Sequence, residues 1–231
     1  MPETHNNSQF KKQSAHGGKP MKTYRITFAK RGALIFVSHL DFSHSVVRAL
    51  KRAELPLKYS EGFSPHPKLV FGLPLSVGMT GENELLDVTL VSDDISNDEF
   101  KMRFSQSLTP DIEIKSVSEP DIKLGKIKSA DYTVMFYGFT GQGESIDRAL
   151  QNPPPVVKKT KSGKEKELDI KPMLYAYSVF ESEKGTQIKL TLAASGESYL
   201  NPELVIKSLR TAGIDLPEEY DITRERINFG E

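Results

Sequence analysis

The sequence predicts an α+β fold built from two tandem ferredoxin-like (βαββαβ) units, with an extra β-hairpin in the second unit. Three observations support this prediction. Segments in which apolar and polar residues alternate are typical of half-buried strands, and they recur along the chain. Segments with apolar residues at helical spacing separate them in the same order in both halves. A hairpin pattern with a Ser-Gly turn interrupts the second half.

The first half begins with YRITFA (24 to 29), which alternates as a strand does. HLDFSHSVVRALKRAEL (39 to 55) follows as a helix, and the Leu-Pro pair at its end stops it. The predicted apolar face of this helix consists of Leu40, Val46 or Val47, Leu50 and Ala53. The remaining predicted elements are strands over 68 to 73, 85 to 91 and 111 to 117, and a helix over 96 to 108 capped by Ser96.

The second half repeats this order of elements. The predicted strands are 131 to 139, 174 to 180, 186 to 194 and 220 to 229, the helices are 143 to 151 and 201 to 210, and the hairpin is 156 to 170. Asn201 is the predicted cap of the last helix, with Pro202 at its first position.

These elements divide the chain into a first unit over 21–124 and a second over 125–231. Residues 1–20 are polar and non-periodic, so we expect a disordered extension there. The alternative is one mixed α+β domain without internal duplication, because the two halves share no sequence period.

Composition excludes several classes of function. The chain has no cysteine, which excludes disulfides, thiolate zinc sites and an iron–sulfur cluster held by its own thiolates. No apolar run is long enough to span a bilayer, so we expect no membrane contact and a cytoplasmic protein. Lys and Arg balance Asp and Glu at 31 each, so any electrostatic argument has to be local.

A local excess of positive charge lies in the first half. Residues 24 to 75 contain eight Lys and Arg residues against three Asp and Glu residues. On the first predicted helix, His44, Arg48, Lys51 and Arg52 share one side, opposite the apolar face. Such a side can follow the phosphates of a nucleic acid, and it is equally typical of an ordinary solvated helix face.

The segment KYSEGFSPHPKLVFGLP (58 to 74) combines bases, aromatic residues, glycines and prolines. Pro65 and Pro67 restrict the backbone on both sides of His66, so the imidazole is presented from a stiff segment. Aromatic rings beside cations are used to stack the bases of single-stranded RNA. The predicted nucleic-acid-binding residues are therefore Arg48, Lys51, Arg52, Lys58, Tyr59, Phe63, His66 and Lys68. A plain connector between two elements is the alternative.

The histidines permit two further hypotheses. His39 and His66 are candidates for the general base and acid of a metal-independent RNA cleavage. His39, Asp41, His44 and His66 also have donor types that suit a metal, although His39 and His44 point to different sides of a helix, and we predict no metal and no cofactor. The sequence contains no phosphate-binding Gly-rich loop, no GxSxG, no HExxH and no CxxxCxxC motif.

The order of motifs resembles the radical-SAM-linked protein family, an uncharacterised bacterial domain family. The resemblance rests on YRITFAKRGALIFVSHLDFSHSVVRALKRAELPLKYSEGFSPHPKLVFGLPLSVGM, then ENELLDVTL, and on VKKTKSGKEKELDIKP (157 to 172). Where the family tends to have Asn and Arg, this chain has Ser64 and His44, which speaks against a site role for either side chain.

The resemblance implies an accessory or substrate-presenting role beside a radical-SAM enzyme, with tRNA or rRNA as the object. Without cluster-binding cysteines this chain cannot perform radical chemistry itself. Three hypotheses follow: an RNA-binding or substrate-presenting accessory protein, a metal-independent endoribonuclease, and a protein adaptor without nucleic-acid contact. The first is preferred, and the protein is more simply explained as a binding protein than as an enzyme.

Overall fold

The strands of the two halves pair side by side in one eight-stranded sheet. The computed structural model describes residues 21–159 and 165–230. Within these ranges the fold is a mixed α+β fold with a mainly sheet core and four α-helices. The disorder predicted for residues 1–20 and the predicted Ser-Gly turn of the hairpin lie outside the described residues.

The first half contains four strands and two helices in the predicted order. They are β1 (Lys22–Lys30), α1 (His39–Arg52), β2 (Leu69–Phe71), β3 (Met79–Leu90), α2 (Asn97–Ser105) and β4 (Ile112–Ser118). Strand β1 lies between β3 and β4, and the short β2 pairs with the other edge of β3. All three pairings are antiparallel.

The second half has the same connectivity with one insertion. Its elements are β5 (Ile127–Tyr137), α3 (Gly143–Gln151), β6 (Val156–Lys159), β7 (Glu165–Leu168), β8 (Leu174–Ser182), β9 (Gly185–Ala193), α4 (Pro202–Thr211) and β10 (Asp221–Phe229). Strand β5 lies between β9 and β10, and β8 pairs with the other edge of β9, all antiparallel. The inserted strands β6 and β7 pair with each other in a separate two-stranded sheet, which confirms the predicted hairpin arms.

The two halves join where β3 and β10 pair in parallel. Three residue pairs form this joint, from Ile222 opposite Met79 to Arg224 opposite Gly81. A Cβ atom at Gly81 would lie 2.6 Å from Cγ of Glu84. Glycine at this position therefore leaves the space in which the Glu84 side chain lies.

The buried apolar residues form two cores, one within the first half and one mainly in the second half, to which Leu75, Met79 and Leu85 of the first half contribute. In the first half, α1 packs against the sheet through Phe42, Val46, Ala49 and Leu50. Leu40 is 64% exposed, so its predicted place in the apolar face was wrong. Phe42 takes that place because it is four, seven and eight residues from the other three buried positions, which is the spacing of one helix face.

Side-chain caps fix where the helices begin. The hydroxyl of Ser96 accepts from the backbone N–H of Glu99, and Oδ1 of Asn201 accepts from the N–H of Glu203, which confirms both predicted caps. Helix α1 stops at Arg52, three residues before the predicted end, and Glu54 then adopts a left-handed φ of 53°. None of the helices in the described ranges is long and apolar enough to cross a membrane.

Candidate nucleic-acid interface

The exposed side of α1 carries the predicted cations. Ser38 caps the helix by accepting from the N–H of Asp41 at 3.2 Å, which fixes where the helix begins. Because the opposite face is buried, His44, Arg48, Lys51 and Arg52 all point to solvent. The two cations of the last turn also lie at the negative end of the helix dipole, where positive charge is favourable.

The 58–68 loop, which contains the stretch KYSEGFSPHPK, is a small backbone-paired loop anchored on the sheet. Lys68 donates its N–H to the carbonyl of Lys58 at 2.7 Å, and Ser60 donates to the carbonyl of His66 at 2.8 Å. The backbone N–H of Lys58 is fixed in turn by the carbonyl of Thr89 on β3. Gly62 has a φ of 117° at the tip, a value that favours glycine, and the adjacent Phe63 is fully exposed.

The structure brings the end of α1 and the 58–68 loop together. The ammonium of Lys51 lies over the ring of Tyr59, 5.9 Å from its centroid. Lys58 and Lys68 lie opposite each other because their backbones pair. Their neighbours Leu57 and Leu69 pack in the core with α1, so the alternation along a strand puts both lysine side chains on the side of the sheet away from α1. We name Arg48, Lys51, Arg52, Lys58 and Lys68, together with the rings of Tyr59 and Phe63, the cationic surface.

No side-chain carboxylate among the described residues forms an ion pair with a cation of this surface. Arg48 donates to Oγ of Ser45 at 3.0 Å, and Arg52 donates to the carbonyl of Ser107 at 2.7 Å. These neutral partners orient the guanidinium groups without neutralising them. The surface therefore keeps its positive charge and exposes it.

His66 belongs to the 58–68 loop but its ring faces the loop's own polar groups. Its Nδ1 lies 3.0 Å from Oγ of Ser60 and 3.3 Å from the carbonyl of Ser64. The hydroxyl of Ser60 also accepts from the N–H of His66. The exposed imidazole is thus held in one orientation at the rim of the cationic surface.

His39 lies in different surroundings, at the beginning of α1. Its ring packs edge-on against Phe71, with the centroids 5.0 Å apart. Burial, and next the cation of Lys30, lower the pKa of this imidazole. No hydrogen bond or ring contact joins His39 to His66 in the described chain, and no group of three His, Asp or Glu residues there is arranged to hold a metal.

A second polar cluster lies at the joint and was not predicted. Lys30 on β1, Glu84 on β3, Arg224 on β10 and Tyr132 on β5 project beneath the segment after β2, and we call them the buried polar row. Arg224 pairs with both carboxylate oxygens of Glu84 and donates to the carbonyls of Leu73 and Pro74.

Two members of the row have unused hydrogen-bonding capacity. The Tyr132 hydroxyl is buried without a hydrogen-bond partner among the described residues, and burial raises its pKa to about 12. Lys30 is 2% exposed, and within the described chain its ammonium donates to the Val37 carbonyl, at 3.3 Å. Burial lowers the pKa of Lys30, although the Glu84 carboxylate acts in the opposite direction.

One sequence signal could have revealed this row. Arg224 lies between Ile222 and Ile227 in ITRERINF and is buried as they are, so it is a charged residue at an inward strand position. Glu84 occupies the same kind of position in β3. A charge on the buried side of a strand requires a partner of opposite charge, so the sequence indicates Glu84 and Arg224 as candidate partners of each other.

Comparisons with known proteins give a family but no activity. No curated protein matches the chain significantly. A chain in the crystal structure of a Cbf5-Nop10-Gar1 complex is 12% identical with a TM-score of 0.44, and the match covers 88% of this chain and 48% of that one. A putative glycine cleavage system transcriptional repressor is 12% identical with a TM-score of 0.25, and the match covers 88% and 98%.

The chain thus spans about half the length of the first of these structures. At such TM-scores neither likeness supports an argument about this protein. Residues 23–202 match the family described as an uncharacterized protein conserved in bacteria (DUF2344). That match covers most of the chain, and the protein belongs to this family.

Proposed function

We propose that the protein binds RNA through the cationic surface and acts as an accessory, substrate-presenting protein. The observation that carries this proposal is the set of five exposed or half-exposed cations without ion pairs in the described chain, which α1 and the 58–68 loop contribute, with Lys51 over the ring of Tyr59. Cations that remain unpaired can release counterions when they bind phosphates, which drives association with a polyanion. Exposed rings next to them can stack unpaired bases.

The matching helix of the second half supports this interpretation. Helix α3 is the first helix of its half, as α1 is of the first, but it carries Glu144, Asp147 and Arg148 on its outer side. The positive charge is therefore a property of one helix and not of the repeated topology. Two exposed carboxylates, Glu54 and Glu61, lie near the five cations and leave the cationic surface with a net positive charge.

We also propose that the partner is a radical-SAM enzyme and that the RNA is a tRNA or rRNA. This part of the proposal rests on the sequence resemblance to the radical-SAM-linked family alone. The full sequence has no cysteine to hold an iron–sulfur cluster, so any radical step belongs to the partner. The role left to this chain is to bind and present the RNA.

We further propose that the two halves are tandem ferredoxin-like units. The support for this interpretation is the strand order, which is β4-β1-β3-β2 in the first half and β10-β5-β9-β8 in the second, with antiparallel neighbours throughout. In both halves the two helices connect strands that are separated by one other strand, as in the split βαβ arrangement.

The positions of the histidines favour binding over RNA cleavage. A general base and a general acid have to reach the same reacting group. His39 packs on Phe71, whereas His66 is held by Ser60 and Ser64 on the 58–68 loop. Incubation of labelled cellular RNA with the protein in chelator tests cleavage directly, and we expect the RNA to stay intact.

The binding proposal is tested by fluorescence anisotropy with labelled single-stranded RNA at low salt. We expect the double variant Arg48→Ala/Arg52→Ala to weaken binding about tenfold or more, because two phosphate contacts are lost. The control is Arg148→Ala/Lys184→Ala, which removes the same charge from exposed positions of the second half and should bind as the unmodified protein does.

Equal affinity of the double variant and the unmodified protein would rule out the cationic surface as the RNA site. Co-purification with and without nuclease then identifies the remaining alternative. A partner protein that stays bound after nuclease treatment, together with no RNA binding, would make the protein an adaptor without nucleic-acid contact.

A further inference from the structure

A groove lies where segments of the two halves meet above the buried polar row. Its walls are Leu73, Pro74, Leu75, Ser76, Ser195 and Tyr199, and we call it the joint groove. Its volume is about 420 Å³, within the usual range for sites that take a small molecule. The ring of Tyr199 is 41% exposed, so one wall is an aromatic surface open to a guest.

The polar groups of the joint groove are few and uncharged. Ser76 and Ser195 contribute hydroxyl groups, and the side-chain amide of Asn201 lies 3.5 Å from Oγ of Ser76. The lining contains no Lys, Arg, Asp or Glu side chain. Such a lining suits a neutral, flat guest with a few hydrogen-bonding atoms and gives no counter-charge for a phosphate.

A small cavity separates the groove from part of the buried polar row beneath it. Leu73 and Leu75 are walls of the groove and also of a cavity of about 10 Å³ that is lined by Lys30, His39 and Glu84. This cavity has room for about one water-sized guest. Lys30, which donates to the Val37 carbonyl, lines this cavity and not the groove, so its charge is separate from the neutral lining above.

Resting on the proposed RNA-binding function, we infer that the joint groove takes an unstacked nucleobase, which stacks on Tyr199 between the apolar walls. The base is the part of an RNA that matches a neutral groove of this size, and proteins that read single-stranded RNA stack such bases on aromatic side chains. The phosphates stay on the cationic surface, where the charges are. The base in the groove and the phosphates on the cationic surface then belong to different nucleotides of one RNA, because His39 beside the groove walls and Arg52 lie at opposite ends of α1.

Saturation-transfer NMR with free nucleosides tests this inference on the full chain. Adenosine and uridine at millimolar concentration should show transfer to their base protons, whereas free ribose, which has neither a base nor a phosphate, should show none. Tyr199→Ala should reduce the transfer at least fivefold, and Tyr199→Phe should retain it because the ring remains. Tyr175→Ala is the matched control, since Tyr175 is an exposed tyrosine on β8, away from the groove.

Several results would overturn the inference. They are an absence of transfer to the nucleosides, transfer that Tyr199→Ala leaves unchanged, and transfer that Tyr175→Ala abolishes equally. Binding of indole without binding of nucleosides would show a plain apolar pocket and would also overturn it. Thermal unfolding followed by circular dichroism establishes that each variant is folded before its spectra are compared.

The proposed function and the inference fail separately. If RNA binding depends on Arg48 and Arg52 but no nucleoside binds in the groove, the proposed RNA binding is supported and the base site is refuted. If nucleosides bind in a way that depends on Tyr199 but RNA does not bind to the cationic surface, the groove is supported as a nucleoside site and the proposed RNA binding is refuted.

Discussion

The replacement Arg224→Met tests whether the joint between the two halves depends on paired buried charges. The side chains of Arg224 and Glu84 are 1% and 5% exposed, so the variant leaves a carboxylate buried without its main partner. Breaking such a pair costs roughly 3–5 kcal/mol of unfolding free energy. The variant also removes the donors to the Leu73 and Pro74 carbonyls, while the cation of Lys30 offsets part of the carboxylate's cost.

Urea unfolding followed by far-ultraviolet circular dichroism measures this loss of unfolding free energy, and thermal unfolding measures the accompanying change in Tm. For a protein of this size, each kcal/mol lowers the Tm by roughly 2–4 °C, so we expect Arg224→Met to lower it by about 6–20 °C. Glu84→Leu should cost a similar amount alone. The double variant should cost clearly less than the sum of the two, because the carboxylate and the guanidinium are then both absent.

Arg226→Met is the matched control on the same strand. Arg226 pairs with Asp131 at 2.9 Å, but its side chain is 69% exposed, so its loss should cost less than about 1 kcal/mol. A cost for Arg224→Met no larger than that of Arg226→Met would refute the reasoning. A double variant whose loss of unfolding free energy equals the sum of the losses of Arg224→Met and Glu84→Leu would refute it as well.

Three further effects are expected from single residues. Burial and the Lys30 cation lower the pKa of His39 below 6.5, so the unfolded chain binds a proton at this imidazole more readily than the folded chain does. The free energy of unfolding should therefore fall as the pH drops from about 6.5 towards the lowered pKa. His39→Gln should remove this fall from a plot of unfolding free energy against pH. Gly185→Ala should cost at least about 2 kcal/mol in urea unfolding, because its φ is 135° and the new Cβ would lie 2.0 Å from the Phe136 carbonyl oxygen; an unchanged midpoint would contradict this geometry. Ser38→Ala should cost about 1 kcal/mol by loss of the α1 cap, whereas Ser38→Thr, which keeps the hydroxyl that accepts from the Asp41 N–H and donates to its carboxylate, should cost less.

The order of elements could be predicted because periodicity and caps are local properties. The alternation in DYTVMFYGF identified β5, and helix α3 lies over the predicted residues 143 to 151. The beginning of β3 could not be predicted in the same way. Met79 to Glu84 forms strand because β1 and β10 pair with it from both sides, and that pairing is a long-range property.

The candidate site was predicted in part. The exposure of Arg48, Lys51 and Arg52 follows from the buried face of α1, and helical spacing encodes that face. The contact of Lys51 with Tyr59 depends on how the 58–68 loop folds back on β3. The separation of His39 from His66 depends on the packing of His39 against Phe71, which no local pattern contains.

The sequence signals Glu84 and Arg224 as charges at inward strand positions, but it does not show the rest of the buried polar row, for a related reason. Glu84 and Arg224 are far apart in sequence, and their pairing depends on the parallel joint between β3 and β10. Within each strand, an inward charge indicates that a partner is needed but not where in the chain that partner lies. The row can be inferred once β3 and β10 are known to be neighbours in one sheet.

The salt dependence of RNA binding by the unmodified protein tests the central claim most directly. Five phosphate-binding cations on single-stranded RNA predict a slope of about −3.5 in a plot of log K against log salt concentration, at roughly 0.7 per contact. The Arg48→Ala/Arg52→Ala variant should bring this slope to about −2. Binding whose slope is close to zero, or a slope that the variant leaves unchanged, would contradict an RNA site on the cationic surface.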